Sequence, residues 1–251
     1  MMEKGITLKS NKTKKTEVSK MKGKVLVLIV AAIALLGAGV ALAGISATKH
    51  NLSSGGPGTI KASAGQQNDE ICVYCHTPHF ANTGLTGAPL WNKATPTATY
   101  TMYGTTIAGT APDAAPNGVT KACLSCHDGV SAINSIVNSA GAGGVVTGGT
   151  NVAFGSTIAG TALTMPAGAT NLGTTLADDH PVSITYTAGK ASLVATTTTL
   201  TGWEGATTVA NLLRSSKVEC SSCHDPHTST NGLFLRKANT GSALCLGCHG
   251  K

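Results

Sequence analysis

The chain has little from which to build an ordinary hydrophobic core. Of its 251 residues only 4% are aromatic (two Trp, four Tyr and three Phe) and only 12% are charged, while glycine contributes 31. Large aliphatic residues are thin and Thr and Ala abundant, so little apolar surface is on hand to offset the entropy of ordering the chain. Covalently bound groups with broad apolar faces would supply what the side chains do not. Basic charge is also scarce over most of the length. Eight of the 18 Lys and Arg and two of the 11 Asp and Glu fall within residues 1–43, so beyond them the formal net charge drops from +7 to +1. The basic balance gives no support for binding nucleic acid.

Residues 1–43 read as an export signal peptide. Eight lysines precede an uninterrupted apolar run from Val25 to Ala43, which ends in Ala41-Leu42-Ala43 before Gly44. A basic start, an apolar middle and an A-x-A ending are the features of a cleaved signal. The 19 apolar residues would also just span a bilayer as a retained anchor. The A-x-A ending favours cleavage, and no cysteine stands at the cut to take a lipid. The mature protein is therefore expected to be secreted, to the extracellular surface or the periplasm, without a membrane span.

All eight cysteines fall in four C-x-x-C pairs: Cys72/Cys75, Cys123/Cys126, Cys220/Cys223 and Cys245/Cys248. A histidine follows each pair at once: His76, His127, His224 and His249. Disulfides would explain an even cysteine count in an exported protein, and structural zinc would explain paired cysteines. Neither requires a histidine after every second cysteine. C-x-x-C-H is the attachment pattern of c-type haem, and the spacing suits that chemistry. Residues three and four apart share one face of a helical turn. Two thioether bonds can thus grip one porphyrin edge while the next histidine swings under the iron. Four covalently bound c-type haems are expected. The second axial ligand then decides function, because an open position permits ligand chemistry and a filled one favours electron transfer.

Four histidines remain for four distal positions: His50, His79, His180 and His227. His79 and His227 recur in one layout, three residues after a proximal histidine and directly behind a proline, in "CVYCHTPH" and "CSSCHDPH". Such a histidine starts from the same side of the ring as its own proximal ligand, and the proline turns the chain outward. Each is expected to reach a neighbouring haem. Met102 and Met165 are the alternative ligands, although each sits in a Thr/Gly-rich stretch where packing suits it. Asp178 and Asp179 are expected to orient His180. Without a pocket they make no acid–base pair, and no catalytic residue is identified.

Behind the signal, residues 44–128 form an N-terminal dihaem segment. Residues 129–211 form a Gly/Thr-rich insert without cysteine, carrying the distal-ligand loop "DDHPVS", and residues 212–251 form a C-terminal dihaem segment. The expected fold is mostly irregular coil wrapped around haems, with single-turn helices at the C-x-x-C-H motifs. A few short β-strands are expected in "NVAFGSTIAGTALTMPAG" and "HPVSITYTAG".

The stretches "KHNLSSGGPGTIKA", "EICVYCHTPH", "APLWN", "CLSCHDG", "DDHPVS", "CSSCHDPH" and "LCLGCH" resemble multihaem cytochromes with doubled C-x-x-C-H motifs. In haem number, export signal and order they are similar to the tetrahaem extracellular filament cytochromes of the OmcE type. That resemblance implies an electron carrier rather than an enzyme. It implies a homopolymer in which each haem has two histidine ligands and stacked haems run continuously toward redox partner cytochromes and a terminal acceptor. It implies too that a histidine of one subunit can complete a haem in the next, for which His50, on a Gly/Ser-flanked arm, is the candidate. Adjacency pairs His227 with the haem of Cys245/Cys248. Two other functions fit the same motifs: a monomeric periplasmic or surface shuttle, and a multihaem reductase of a small nitrogen or sulfur oxyanion. The reductase requires an iron with an open position; four spare histidines, and no lysine in any proximal place, argue against it.

Overall fold

The computed structural model describes residues 44–64, 69–138, 150–151 and 161–250. The expected signal, residues 1–43, and most of the strand expected in "NVAFGSTIAG" lie outside them. Residues Ile45–Lys251 form one compact unit. No helix among the described residues is long and apolar enough to cross a membrane.

The longest element is helix α1, Gly118–His127. Gly118 opens it because a β-carbon there would lie 1.8 Å from the Thr86 carbonyl oxygen. The helix buries only Thr120, Ala122, Leu124 and Ser125, and a helix of this length is marginal by itself. Packing holds it. Leu124 is fully buried against Tyr100 and Leu176, a contribution of roughly 1.5–3 kcal/mol for such a side chain. Two four-residue helices follow, α2 Val209–Leu212 and α3 Cys220–Cys223. The side chains of Thr208 and Asn211 cap the start of α2, and those of Glu219 and Ser222 cap α3 reciprocally. α2 buries Val209 and Leu212 against Tyr186 and Leu200.

Two antiparallel ribbons complete the regular structure. β1 (Ser135–Ile136) pairs with β2 (Thr150–Asn151), and β3 (Ile184–Thr185) pairs with β4 (Lys217–Val218), setting Ile184 opposite Val218. Buried apolar side chains gather in three small clusters, the remaining one being built on Leu52, Tyr74, Ile133 and Ile136. A polar hub joins α1 to α3. The buried Glu219 carboxylate accepts hydrogen bonds from Thr120 Oγ1 and, at 3.0 Å, from Ser183 Oγ. Burial raises the pKa of Glu219, and the two hydroxyl bonds oppose that shift. The chain is mostly coil with a few short helices and small ribbons, as its composition predicts. One departure stands out: Cys123 and Cys126 end a ten-residue helix rather than occupying a single isolated turn.

Candidate functional site

Each C-x-x-C pair lies on one helical turn: the 3-10 turn Cys72–Tyr74, the last turn of α1, α3 itself, and the 3-10 turn Cys245–Gly247. In three motifs the histidine N–H closes the turn on the first cysteine's carbonyl: His76 on Cys72 at 2.8 Å, His224 on Cys220 at 3.0 Å and His249 on Cys245 at 2.9 Å. The fourth turn lies so close to the Trp203 ring that a β-carbon on Gly247 would stand 2.2 Å from it.

A neighbouring extended segment straps these three turns in one repeated way. Asn92 donates its N–H to Cys75 O at 2.8 Å, and Thr77 donates to Leu90 O at 2.9 Å. Arg236 and Asp225 do the same to Cys223 O (2.8 Å) and Phe234 O (2.7 Å), and Val194 and Gly250 to Cys248 O (2.9 Å) and Ser192 O (2.7 Å). Leu90, Phe234 and Ser192 take left-handed φ values of 53°, 58° and 64°, a conformation costing a side chain roughly 1–2 kcal/mol. In two straps the preceding carbonyl then meets the imidazole. Pro89 O and Leu233 O lie 2.8 and 2.9 Å from Nδ1 of His76 and His224. His127 finds the same support in Thr170 O at 2.7 Å. A carbonyl accepts only, so Nδ1 carries the proton and the Nε2 lone pair is left for a metal.

The eight thiols are free. No three His, Cys, Asp or Glu side chains among the described residues gather into a group that could hold a metal ion by themselves. Neighbouring motifs meet through their cysteines. The thiols of Cys123 and Cys220 are neighbours; the interaction between them, with burial, holds Cys123 well above the ordinary thiol value, and the same interaction draws Cys220 below it against the opposing effect of burial. Burial, with Cys126 nearby, pushes Cys75 up to about 12, and burial, with Cys248 nearby, pushes Cys223 up to about 11. The motifs thus adjoin in chain order, first to second to third to fourth.

Three proximal histidines face a second histidine. Ring centroids are 6.2 Å apart for His76 and His227, 6.1 Å for His127 and His50, and 6.5 Å for His249 and His180. Imidazoles on opposite sides of one iron, each at about 2.0 Å with its ring centre about 1.15 Å beyond the nitrogen, have centroids roughly 6.3 Å apart. The gaps fit. The facing rings are also oriented through Nδ1: His50 by Pro226 O at 3.1 Å, His180 by Pro181 O at 3.0 Å, and His227 by the Asp225 carboxylate at 3.1 Å. The Asp225 bond raises His227 and draws Asp225 down to about 2. His50 also stacks on Phe234 at 4.1 Å, and burial lowers its pKa against the opposing Pro226 bond.

This geometry corrects several expectations. His227 faces His76 rather than His249, because the turn at Pro226 carries it back toward the first motif. His50, read from the sequence as either a link to a neighbouring subunit or a ligand in its own chain, faces His127 of its own chain. The Pro181 carbonyl, not Asp178 or Asp179, orients His180; burial and then the Asp178 charge raise Asp179. Met102 and Met165 pack into the clusters of Tyr100 and of Leu52. Among the described residues no histidine ring faces His79 or His224 in the paired manner. Asp225, Asn92 and Arg236 went unnoticed in the sequence. Their signal was the parallel between "HTPH…PLWNK" and "HDPH…LFLRK". Asn92 Nδ2 donates to Val73 O at 2.6 Å and Arg236 Nε to Ser221 O at 2.8 Å, the same carbonyl in each C-x-x-C.

The surfaces around the motifs fit a broad apolar cofactor. Seven large hydrophobic side chains are exposed among the described residues. Six of them (Phe80, Leu90, Val130, Leu172, Leu233 and Leu246) lie in a motif, just beyond it or in a segment bonded to it. Attached porphyrins would cover such side chains.

A comparison with protein families agrees over part of the chain. The family model described as a doubled CXXCH motif matches residues 214–251, the span holding Cys220, Cys223, His224, Cys245, Cys248 and His249. No curated protein matches the chain. The motifs indicate covalently bound c-type haem, and the match supports a multihaem c-type cytochrome, a class of electron-transfer protein.

Proposed function

We propose that the protein is a tetrahaem c-type cytochrome carrying electrons along stacked bis-histidine haems, as the polymerising subunit of an extracellular filament. The three histidine pairs at 6.1 to 6.5 Å carry this reading, since each gap has the width of one iron with two imidazoles. Bound haem supplies a one-electron iron couple. The cysteine pairs would hold each porphyrin edge, while carbonyls fix the imidazoles of His50, His76, His127, His180 and His224 and the Asp225 carboxylate fixes that of His227. His50, His180 and His227 would supply the second nitrogen to three of the irons, leaving no place there for a substrate. Contact between Cys123 and Cys220, with the nearness of Cys75 to Cys126 and of Cys223 to Cys248, suits passage of electrons between neighbouring attachment sites. The filament rests on the resemblance to OmcE-type cytochromes and on the one unmatched pair: His79 of one subunit completes the site of Cys220, Cys223 and His224 in the next. After loss of residues 1–43 the polymer lies outside the cell, meeting redox partner cytochromes and a terminal acceptor.

The same unmatched site favours a second reading. Should His79 not serve His224, that iron keeps an open place, as a reductase of a small oxyanion requires, whereas a monomeric shuttle would differ from the filament in assembly alone. Electron microscopy and carbon monoxide titration of the haem-loaded mature protein decide between them. Ordered filaments whose reduced spectrum ignores carbon monoxide are expected, and His79→Ala should break them into particles with one ligand-binding haem each. Discrete wild-type particles in which a quarter of the haem binds carbon monoxide would establish the alternative.

A further inference from the structure

Lys93 follows Asn92 on the strap of the first motif and is only 2% exposed. Its ammonium group donates to Ile133 O and, at 3.1 Å, to Ser135 O. A lysine buried so fully ordinarily has an acidic partner. Among the described residues the ion pairs are Lys217 with Asp113, His227 with Asp225 and Arg236 with Asp225; none includes Lys93. Two backbone carbonyls need a donor and not a charge, so a neutral amide would hold them as well. The counterpart in the repeated strap, Lys237, lies toward solvent and donates to Thr201 O at 3.0 Å. Burial of the charge, rather than the charge itself, is therefore what sets Lys93 apart.

That charge lies behind the first attachment turn. The preceding residue, Asn92, donates its N–H to the Cys75 carbonyl at 2.8 Å. Asp69 and Glu70, ahead of the motif, are exposed and screened by water. Asp225, which holds the facing His227, is paired with Arg236 at 3.3 Å, and the oxygens of the buried Asp128 accept from Tyr100, Val130 and Ser131. We propose that Lys93 is a potential-setting residue: an uncompensated buried cation that raises the reduction potential of the haem held by Cys72, Cys75, His76 and His227. The ferric form bears one more positive charge than the ferrous, so a fixed cation in a poorly screened interior disfavours it. This rests on the haem reading above.

The test uses the haem-loaded protein, with mass spectrometry for covalent haem, thermal melting for folding and an optical redox titration for potentials. Lys93→Gln keeps donors for both carbonyls and removes the charge; Lys93→Met is a second neutral variant, and Lys93→Arg retains the charge. Both neutral variants are expected to shift one haem's step to lower potential and leave the others in place. Lys93→Arg and Lys237→Gln should superimpose on the parent. An unshifted Lys93→Gln curve overturns the proposal. So does an equal shift in Lys93→Arg, or failure of both neutral variants to fold with haem, since either assigns the residue a packing role. A parent protein without covalent haem would refute the haem reading itself, and the mass spectrum shows this before any titration.

Discussion

The loops that follow the first and third C-x-x-C-H motifs share one strap and differ in where they aim a histidine. In both, a left-handed residue bends the returning chain, and a polar side chain, Asn92 or Arg236, caps the first inner carbonyl of the cysteine turn. The difference sits one residue after the proximal histidine. Asp225 accepts from the backbone N–H of His227 at 3.0 Å and holds its ring at 3.1 Å, and Arg236 braces the carboxylate. Thr77, in the same place, donates to the His79 carbonyl at 2.9 Å, while Asn138 Nδ2 bonds both Thr77 Oγ1 (2.9 Å) and His79 O (3.2 Å). One loop fixes an imidazole and the other fixes only a backbone. A repeated scaffold can thus send one distal histidine into its own chain and leave its twin exposed.

The largest effect should come from His227→Ala, which removes the aimed ring. One haem is expected to turn high-spin and bind carbon monoxide, and adding Cys72→Ser with Cys75→Ser should abolish that signal. Loss of the signal with Cys245→Ser and Cys248→Ser instead would break the pairing of His227 with His76. Next come the caps. Asn92 is fully buried and bonds Val73 O, Asn138 O and Asn138 N–H. Asn92→Ala should lower stability by about 3 kcal/mol, with Arg236→Ala costing about 2 kcal/mol, measured by denaturant unfolding of the loaded protein. Equal stability of parent and Asn92→Ala would show that the strap holds by its backbone alone.

Smaller shifts should separate the loops further. Asp225→Asn removes the anion from His227, stabilises the ferric state less, and should raise one haem's potential by roughly 40 mV, about 1 kcal/mol. No change would mean that the carboxylate only positions the ring. The smallest effect belongs to Asp113, whose bonds to Lys217 and Asn117 tie the approach to the third motif to the start of α1. Lys217, then Asn117, holds its carboxyl below the usual range. The stabilisation is therefore present above pH of about 4 and lost as pH falls through the depressed value. At this exposed pair Asp113→Asn should cost under about 1 kcal/mol at neutral pH and flatten the acid limb of a stability–pH curve.

What could be read from the sequence was local. The cysteine turns and their histidines declare themselves within five residues, and scarce large side chains foretell coil and small clusters. Facing partners could not be read, because His76 and His227 meet only through contacts such as Cys123 with Cys220 and Glu219 with Thr120. The straps were hidden for another reason. Leu90, Phe234 and Ser192 adopt a conformation that sequence associates with glycine. The carbonyls of Pro181, Pro89 and Leu233 orient histidines without any side-chain signature. α1 outgrew a single turn because Leu124 found burial one turn upstream of His127, which periodicity in so short a stretch does not announce.

The facing histidines also have a topological consequence. His76 and His227 stand 151 positions apart, His50 and His127 77, and His180 and His249 69. Once each pair closes on an iron, it joins two distant points of the chain as a disulfide would. By the chain-entropy rule for such links, each ring closure disfavours the unfolded ensemble by about 4 to 5 kcal/mol. On the proposed function, the polypeptide would be a net whose knots are metal bonds, held in shape by its mesh as well as by its small clusters of buried side chains.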